Sequence, residues 1–145
     1  MKITSRFTIA VHTLLVIYFF GDKTRTTSEF IAESVNVNPV VIRRTLLSLK
    51  SAGMIEVKAG CGGARIVKDL KDITLYDVYT AVDSVDGDLF HFHEDPNPAC
   101  PVGKNIHAVL DDKLFAAQRA MENELRKVSL ADLARDLDVK TFACK

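Results

Sequence analysis

Apolar residues recur at intervals of three and four through most of this chain and alternate with polar ones in one short stretch near its middle. The pattern predicts a mainly α protein with a small β-hairpin. Residues 3–20 open with a nearly unbroken apolar run in which Phe7, Val11, Leu14, Leu15 and Tyr18 form the densest stripe, with Ile17 and Phe19 beside it. A helix this hydrophobic is expected to be covered on several sides, by its own domain and by another element or subunit. Ser5 is its expected N-cap and Gly21-Asp22 its closing turn. Thr8, His12 and Thr13 interrupt the run, which is far shorter than a bilayer span. No cleavage site of small residues follows it, so it reads as a buried helix of a cytoplasmic protein.

The most informative stretch is residues 26–67, TTSEFIAESVNVNPVVIRRTLLSLKSAGMIEVKAGCGGARIV. Thr26 with Glu29 has capping-box spacing and predicts a helix start, with Phe30, Ile31 and Val35 on its apolar side. Asn38 followed by Pro39 predicts a second start, because proline at the first helical position gives up an N–H that has no partner anyway. Ile42, Thr45, Leu46 and Leu49 then share one face. Val40, Arg43, Arg44 and Leu47 share the opposite one, with Lys50 near its edge and Gly53 as the stop. Beyond it Ile55 and Val57 alternate with Glu56 and Lys58, Gly60-Cys61-Gly62-Gly63 supplies a turn, and residues 64–67 return. Two capped helices in tight succession and a glycine-tipped hairpin are the layout of a winged helix-turn-helix. Such a module places its second helix in the major groove of DNA and its wing near phosphates or the minor groove.

The carboxy-terminal half has a different organisation. Asp72 or Thr74 begins a short helix carrying Leu75, Val78, Tyr79 and Val82. Residues 84–103 hold three of the four prolines and the polar cluster His91, His93, Glu94, Asp95 and Cys100, and read as a linker. From about residue 104 to 127, Ile106, Val109 or Leu110, Leu114, Ala117, Met121 and Leu125 repeat at threes and fours, a stripe that continues to Val128. That stripe exceeds the needs of a small core and predicts a partner helix from a second subunit. Ser129 with Asp132 caps a last helix bearing Leu130, Leu133 and Leu137, and residues 138–145 carry little signal. The expected organisation is a DNA-binding domain over 1–83, a linker or sensor loop over 84–103, and a dimerisation helix with a terminal helix over 104–145.

Charge sharpens this picture. The formal net charge is zero, yet residues 1–68 hold ten Lys/Arg against four Asp/Glu, and residues 69–145 hold nine against fifteen. Cations concentrate in the half that contains the proposed reader, as phosphate contact requires. Three widely spaced cysteines, Cys61, Cys100 and Cys144, with no CxxC pair, suit free thiols rather than a disulfide framework.

In their order along the chain, KITSRFTIAVHTLL, IAESVNVNPVVIRRTLLSLKSAGMIEVKAGCGGARIV, ITLYDVYTAVD, CPVGKNIHAVL and VSLADL resemble the Rrf-type bacterial regulators. This winged-helix family includes IscR, NsrR and CymR. The resemblance spans nearly the whole chain. It implies a homodimer joined through the long helix that binds a roughly palindromic operator and represses transcription. Two features depart from it. Cluster-binding members carry three cysteines in the loop before the long helix, whereas this loop has Cys100 alone, so no iron–sulfur cofactor is expected. The wing has Gly-Cys-Gly-Gly where many members have Gly-Pro-Gly-Gly, which would set Cys61 near DNA.

The candidate DNA contacts are Asn38, Val40, Arg43 and Arg44 on the second helix, Lys58 and Arg65 on the wing, and Arg6 and Lys50 toward the backbone. Arginine can pair bidentately with guanine, and valine can touch a thymine methyl. Arg6 serves equally well as a surface ion-pair partner. Cys100, just before a helix start, is either a redox sensor or an inert thiol. His91, His93 and Cys100 match no compact zinc motif, so no metal is expected, and His12 and His107 read as packing residues. GCGGAR lies in a hairpin rather than after a strand, and no nucleophile–base set stands out, so the chain does not read as an enzyme. The rival function is a protein-interaction module on a winged-helix scaffold, which leaves the charge asymmetry without a purpose.

Overall fold

The computed structural model describes residues 4–21, 23–58, 63–83 and 89–142. Helix α1 (Ser5–Phe20) is the post against which α2 (Ser28–Val35), α3 (Pro39–Ser51) and α4 (Leu75–Asp83) pack. Its cap is Thr4, one residue before the expected Ser5, and the Thr4 hydroxyl accepts from the Arg6 N–H at 3.2 Å. Ala10, Thr13, Leu14 and Ile17 form its buried face, whereas Tyr18 is half exposed. Apolar residues surround this helix, so periodicity alone does not select which stripe turns inward.

Helix α2 starts at the second of two threonines. Thr27 accepts from the Phe30 N–H at 3.2 Å, while Thr26, the expected cap, is buried and donates to the Ala64 carbonyl at 2.5 Å. Asn36 ends the helix in the left-handed region, at φ 62°, which asparagine tolerates better than most residues. The Asn38 side chain then caps α3 by accepting from the Val40 N–H at 2.9 Å, with Pro39 in the first turn as expected. Ile42, Thr45, Leu46 and Leu49 are the buried residues of α3, and Gly53 follows it at φ 77°.

Strands β1 (Ile55–Lys58) and β2 (Gly63–Ile66) pair antiparallel, with Ile55 opposite Ile66 and Val57 opposite Ala64. Ile55 and Ala64 enter the core; Val57 does not. The expected turn at Gly60, Cys61 and Gly62 lies outside the described residues. A 3-10 turn at Leu70–Asp72 leads to α4, whose start is a reciprocal cap. The Thr74 N–H donates to Asp77 and the Asp77 N–H to Thr74, at 2.9 and 3.1 Å.

The long helix α5 (Pro101–Arg126) begins a few residues earlier than its apolar repeat suggests, because Pro101 is accommodated in its first turn. Helix α6 (Leu130–Phe142) opens with a second reciprocal cap, Ser129 with Asp132, and continues into the segment that carried little signal. Its Leu130 and Ala134 join the same core as Leu14, Ile31, Ile42, Leu49, Ile73 and Val78. Thr74 and Ser129 form an isolated antiparallel bridge, flanked by bonds from Leu75 N–H to the Val128 carbonyl and from Leu130 N–H to the Ile73 carbonyl. The Arg126 guanidinium stacks 3.8 Å over the Tyr76 ring, fastening the end of α5 to α4. No helix among the described residues is long and apolar enough to cross a membrane.

Candidate nucleic-acid interface

Burial of one side of α3 dictates what its other side offers. With Ile42, Thr45, Leu46 and Leu49 inward, Val40, Arg43, Arg44 and Leu47 are exposed together, and Lys50 extends the row into the last turn. Leu47 is 65% exposed among the cations Arg43, Arg44 and Lys50. Asn38 stands at the amino-terminal end of the same row with its side-chain oxygen committed to the cap. The backbone thus sets a short polar-and-apolar surface of the size a major groove admits.

The remaining candidates lie on other elements. Lys58 ends β1 beside the hairpin tip, Arg65 lies on β2, and Arg6 projects from the first turn of α1; all three are exposed. Lys50 sits near the carboxy-terminal end of α3, where a cation also complements the helix dipole.

Two carboxylates join this surface: Glu56, and Glu29, which was expected to complete a capping box with Thr26 and instead reaches Arg43. Glu29, in the first turn of α2, accepts from Arg43 Nη2 at 2.9 Å, and Glu56 accepts from Arg65 Nη2 at 2.6 Å across the two strands. The Arg43 bond, together with the Glu29 backbone, holds the Glu29 carboxyl below its ordinary pKa; the backbone contribution is the larger. The strand register announces the second pair, since residues at the ends of a tight hairpin face each other. The first closes a gap of fourteen positions and depends on how α2 packs on α3. Among the described residues, Arg44, Lys50 and Lys58 make no ion pair.

The described part of the linker, from Leu89 onward, lies along α5. The Leu89 N–H donates to Gln118 Oε1 at 2.9 Å, and Gln118 is the buried side chain of that helix. Phe92 packs edge-on against both His107 and Phe115, and the His93 ring lies 5.1 Å from the His107 ring at a tilt of 35°. His107 Nδ1 is 3.0 Å from Asp111 Oδ1. That hydrogen bond, helped by the backbone of His93, raises the imidazole above its ordinary pKa. His107 is therefore a hydrogen-bonding partner of Asp111 as well as a packing residue. His12, the other helical histidine, hydrogen-bonds the Ser34 hydroxyl at 3.0 Å.

Cys100 is free and exposed at the cap position of α5. The backbone N–H groups of Gly103 and Val102 favour its thiolate and lower its pKa. An iron–sulfur cluster needs several thiolates. Cys100 is the linker's single thiol, and among the described residues no three His, Cys, Asp or Glu side chains converge as metal ligands.

Residues 3–136 match the sequence profile of the Rrf2 family, whose description is "Iron-dependent Transcriptional regulator". The "Putative HTH-type transcriptional regulator YwnA" of Bacillus subtilis is 47% identical over 135 residues, covering 93% of this chain and 98% of that one. A solved "putative transcriptional regulator" from Lactobacillus plantarum superposes with a TM-score of 0.79 at 27% identity, over 92% of this chain and 90% of that one. The global cysteine regulator CymR of Bacillus subtilis shares the fold, with a TM-score of 0.66 at 19% identity over 93% and 97% of the two chains.

Proposed function

This chain belongs to the Rrf2 family of winged-helix transcriptional regulators, and we propose that it is a cytoplasmic homodimeric repressor that reads a palindromic operator through α3. The observation that carries this reading is the exposed row Val40, Arg43, Arg44 and Leu47 on a helix whose opposite face is locked in the core. In this reading Arg43 and Arg44 address base edges, Val40 and Leu47 meet thymine methyls, and Asn38, Lys50, Lys58, Arg65 and Arg6 approach the backbone.

Dimerisation is assigned to α5. Its stripe residues Ile106, Leu110, Leu114, Met121 and Leu125 are only half buried within one chain, and Val102, Val109 and Phe115 are exposed. An apolar groove of about 710 Å³ beside α1, lined by Phe7, Val11, Leu15, Phe19, Leu133 and Leu137, offers more unsatisfied surface. A second chain supplies cover for such faces. With one linker thiol, the protein works without an iron–sulfur cluster, and Cys100 is its candidate redox sensor.

The test is fluorescence anisotropy of the reduced protein against a duplex enriched from a random pool and a scrambled control, over a salt series. A preference that Arg44→Ala abolishes, together with a steep salt slope, is the expected result. Failure to enrich any sequence would favour the scaffold function that recruits protein instead.

A further inference from the structure

We propose that Glu29 is a positioning residue that aims Arg43 and thereby sets how sharply the protein discriminates between DNA sequences; this rests on α3 being the reading helix. The Glu29–Arg43 contact joins two exposed side chains, 64% and 54% accessible, so its contribution to stability is small. Its effect on geometry is larger. A guanidinium carries five N–H donors in a rigid fork. One of those on Nη2 is committed to Glu29, and the others stay free for an acceptor.

An unrestrained arginine on a helix facing DNA pairs with whatever anion is nearest, and phosphates outnumber any one guanine. Glu29 alters that competition in two ways. It fixes the long side chain of Arg43 before DNA arrives, which removes part of the ordering cost of a specific contact. It also sets a negative charge beside the guanidinium, which opposes a generic approach to phosphate and leaves base pairing as the rewarded arrangement. Its place in the first turn of α2 makes this carboxylate persistent, since the helix dipole and its Ser28 neighbour, at 3.3 Å, both hold the charged form there. Arg44, next in sequence, makes no ion pair among the described residues. The two adjacent arginines therefore differ in kind, one guided and one free.

The experiment compares the wild type, Glu29→Gln, Arg43→Ala and the double variant, each against the enriched and the scrambled duplex. Glu29→Gln is expected to bind the scrambled duplex more tightly and to lower the ratio of the two affinities by roughly three- to tenfold, part of what one good base contact contributes. In the Arg43→Ala background the same substitution is expected to change both affinities by the same factor. A ratio unchanged by Glu29→Gln overturns the proposal, as does an equal fall in the ratio without Arg43. A wild type that does not discriminate between the duplexes overturns the reading role of α3 and this proposal with it. Discrimination kept by Glu29→Gln overturns this proposal alone.

Discussion

Thr26 and Ala64, thirty-eight positions apart, hold each other by two hydrogen bonds. The Thr26 hydroxyl donates to the Ala64 carbonyl at 2.5 Å, and the Ala64 N–H donates to the Thr26 carbonyl at 3.1 Å. The wing strand β2 is thus tied to the residue just ahead of the α2 cap. Gly63 makes the approach possible. It sits at φ 66°, and a Cβ there would lie 2.9 Å from the Thr26 nitrogen and 3.0 Å from its carbonyl carbon and oxygen.

Gly63→Ala is therefore expected to destabilise the fold by about 1–3 kcal/mol, through the left-handed backbone and the clash together. Urea unfolding followed by circular dichroism measures it. DNA affinity should fall beyond any loss of folded protein, because the wing is displaced from α2.

Leu47 and Leu49 stand two residues apart on α3 and predict opposite outcomes. Leu49 is fully buried, so Leu49→Ala should cost about 2–5 kcal/mol of stability. Leu47 is exposed, so Leu47→Ala should shift stability by no more than about 0.5 kcal/mol while weakening binding to the enriched duplex. Paired unfolding and anisotropy measurements separate the two.

His107 should titrate above its ordinary value of 6.5, because Asp111 and the His93 backbone favour the imidazolium. A pKa raised on folding means that the stabilisation is complete below the unfolded value and fades as pH rises through the folded one. The window therefore opens near 6.5 and extends upward. Ring NMR titration should show the raised pKa, and Asp111→Asn should return it toward 6.5.

Val109 is 57% exposed on α5, on the side its own chain leaves open. Val109→Glu should convert a dimer to monomer at micromolar concentration in sedimentation velocity, with little change in the fold. An unchanged sedimentation coefficient would move the dimer contact elsewhere.

Residue patterns exposed much of this architecture. The faces of α3 were legible because a 3.6-residue repeat leaves one arrangement that buries Ile42, Thr45, Leu46 and Leu49 together. Asn38 and Ser129 were legible as caps because their partners lie two or three residues on. Thr26 was misread for an equally local reason: neighbouring threonines compete for one cap, and the contact that decides between them lies across the fold on Ala64. The Glu29–Arg43 pair and the stacking of His93 on His107 were not legible, since both depend on how separate segments pack. Tyr18 failed for want of contrast, an apolar residue in a helix apolar on every side.

The bridge between Thr74 and Ser129 closes the chain between them into a ring with a single neck. Both residues are also helix caps, so the neck is stiff on each side. The ring is anchored through α4 as well, which packs on α1 and α3, and Arg126 over Tyr76 fastens the returning end of α5 to α4. Both ends of the ring therefore enter the core, at Ile73 and at Leu130, beneath the reading helix.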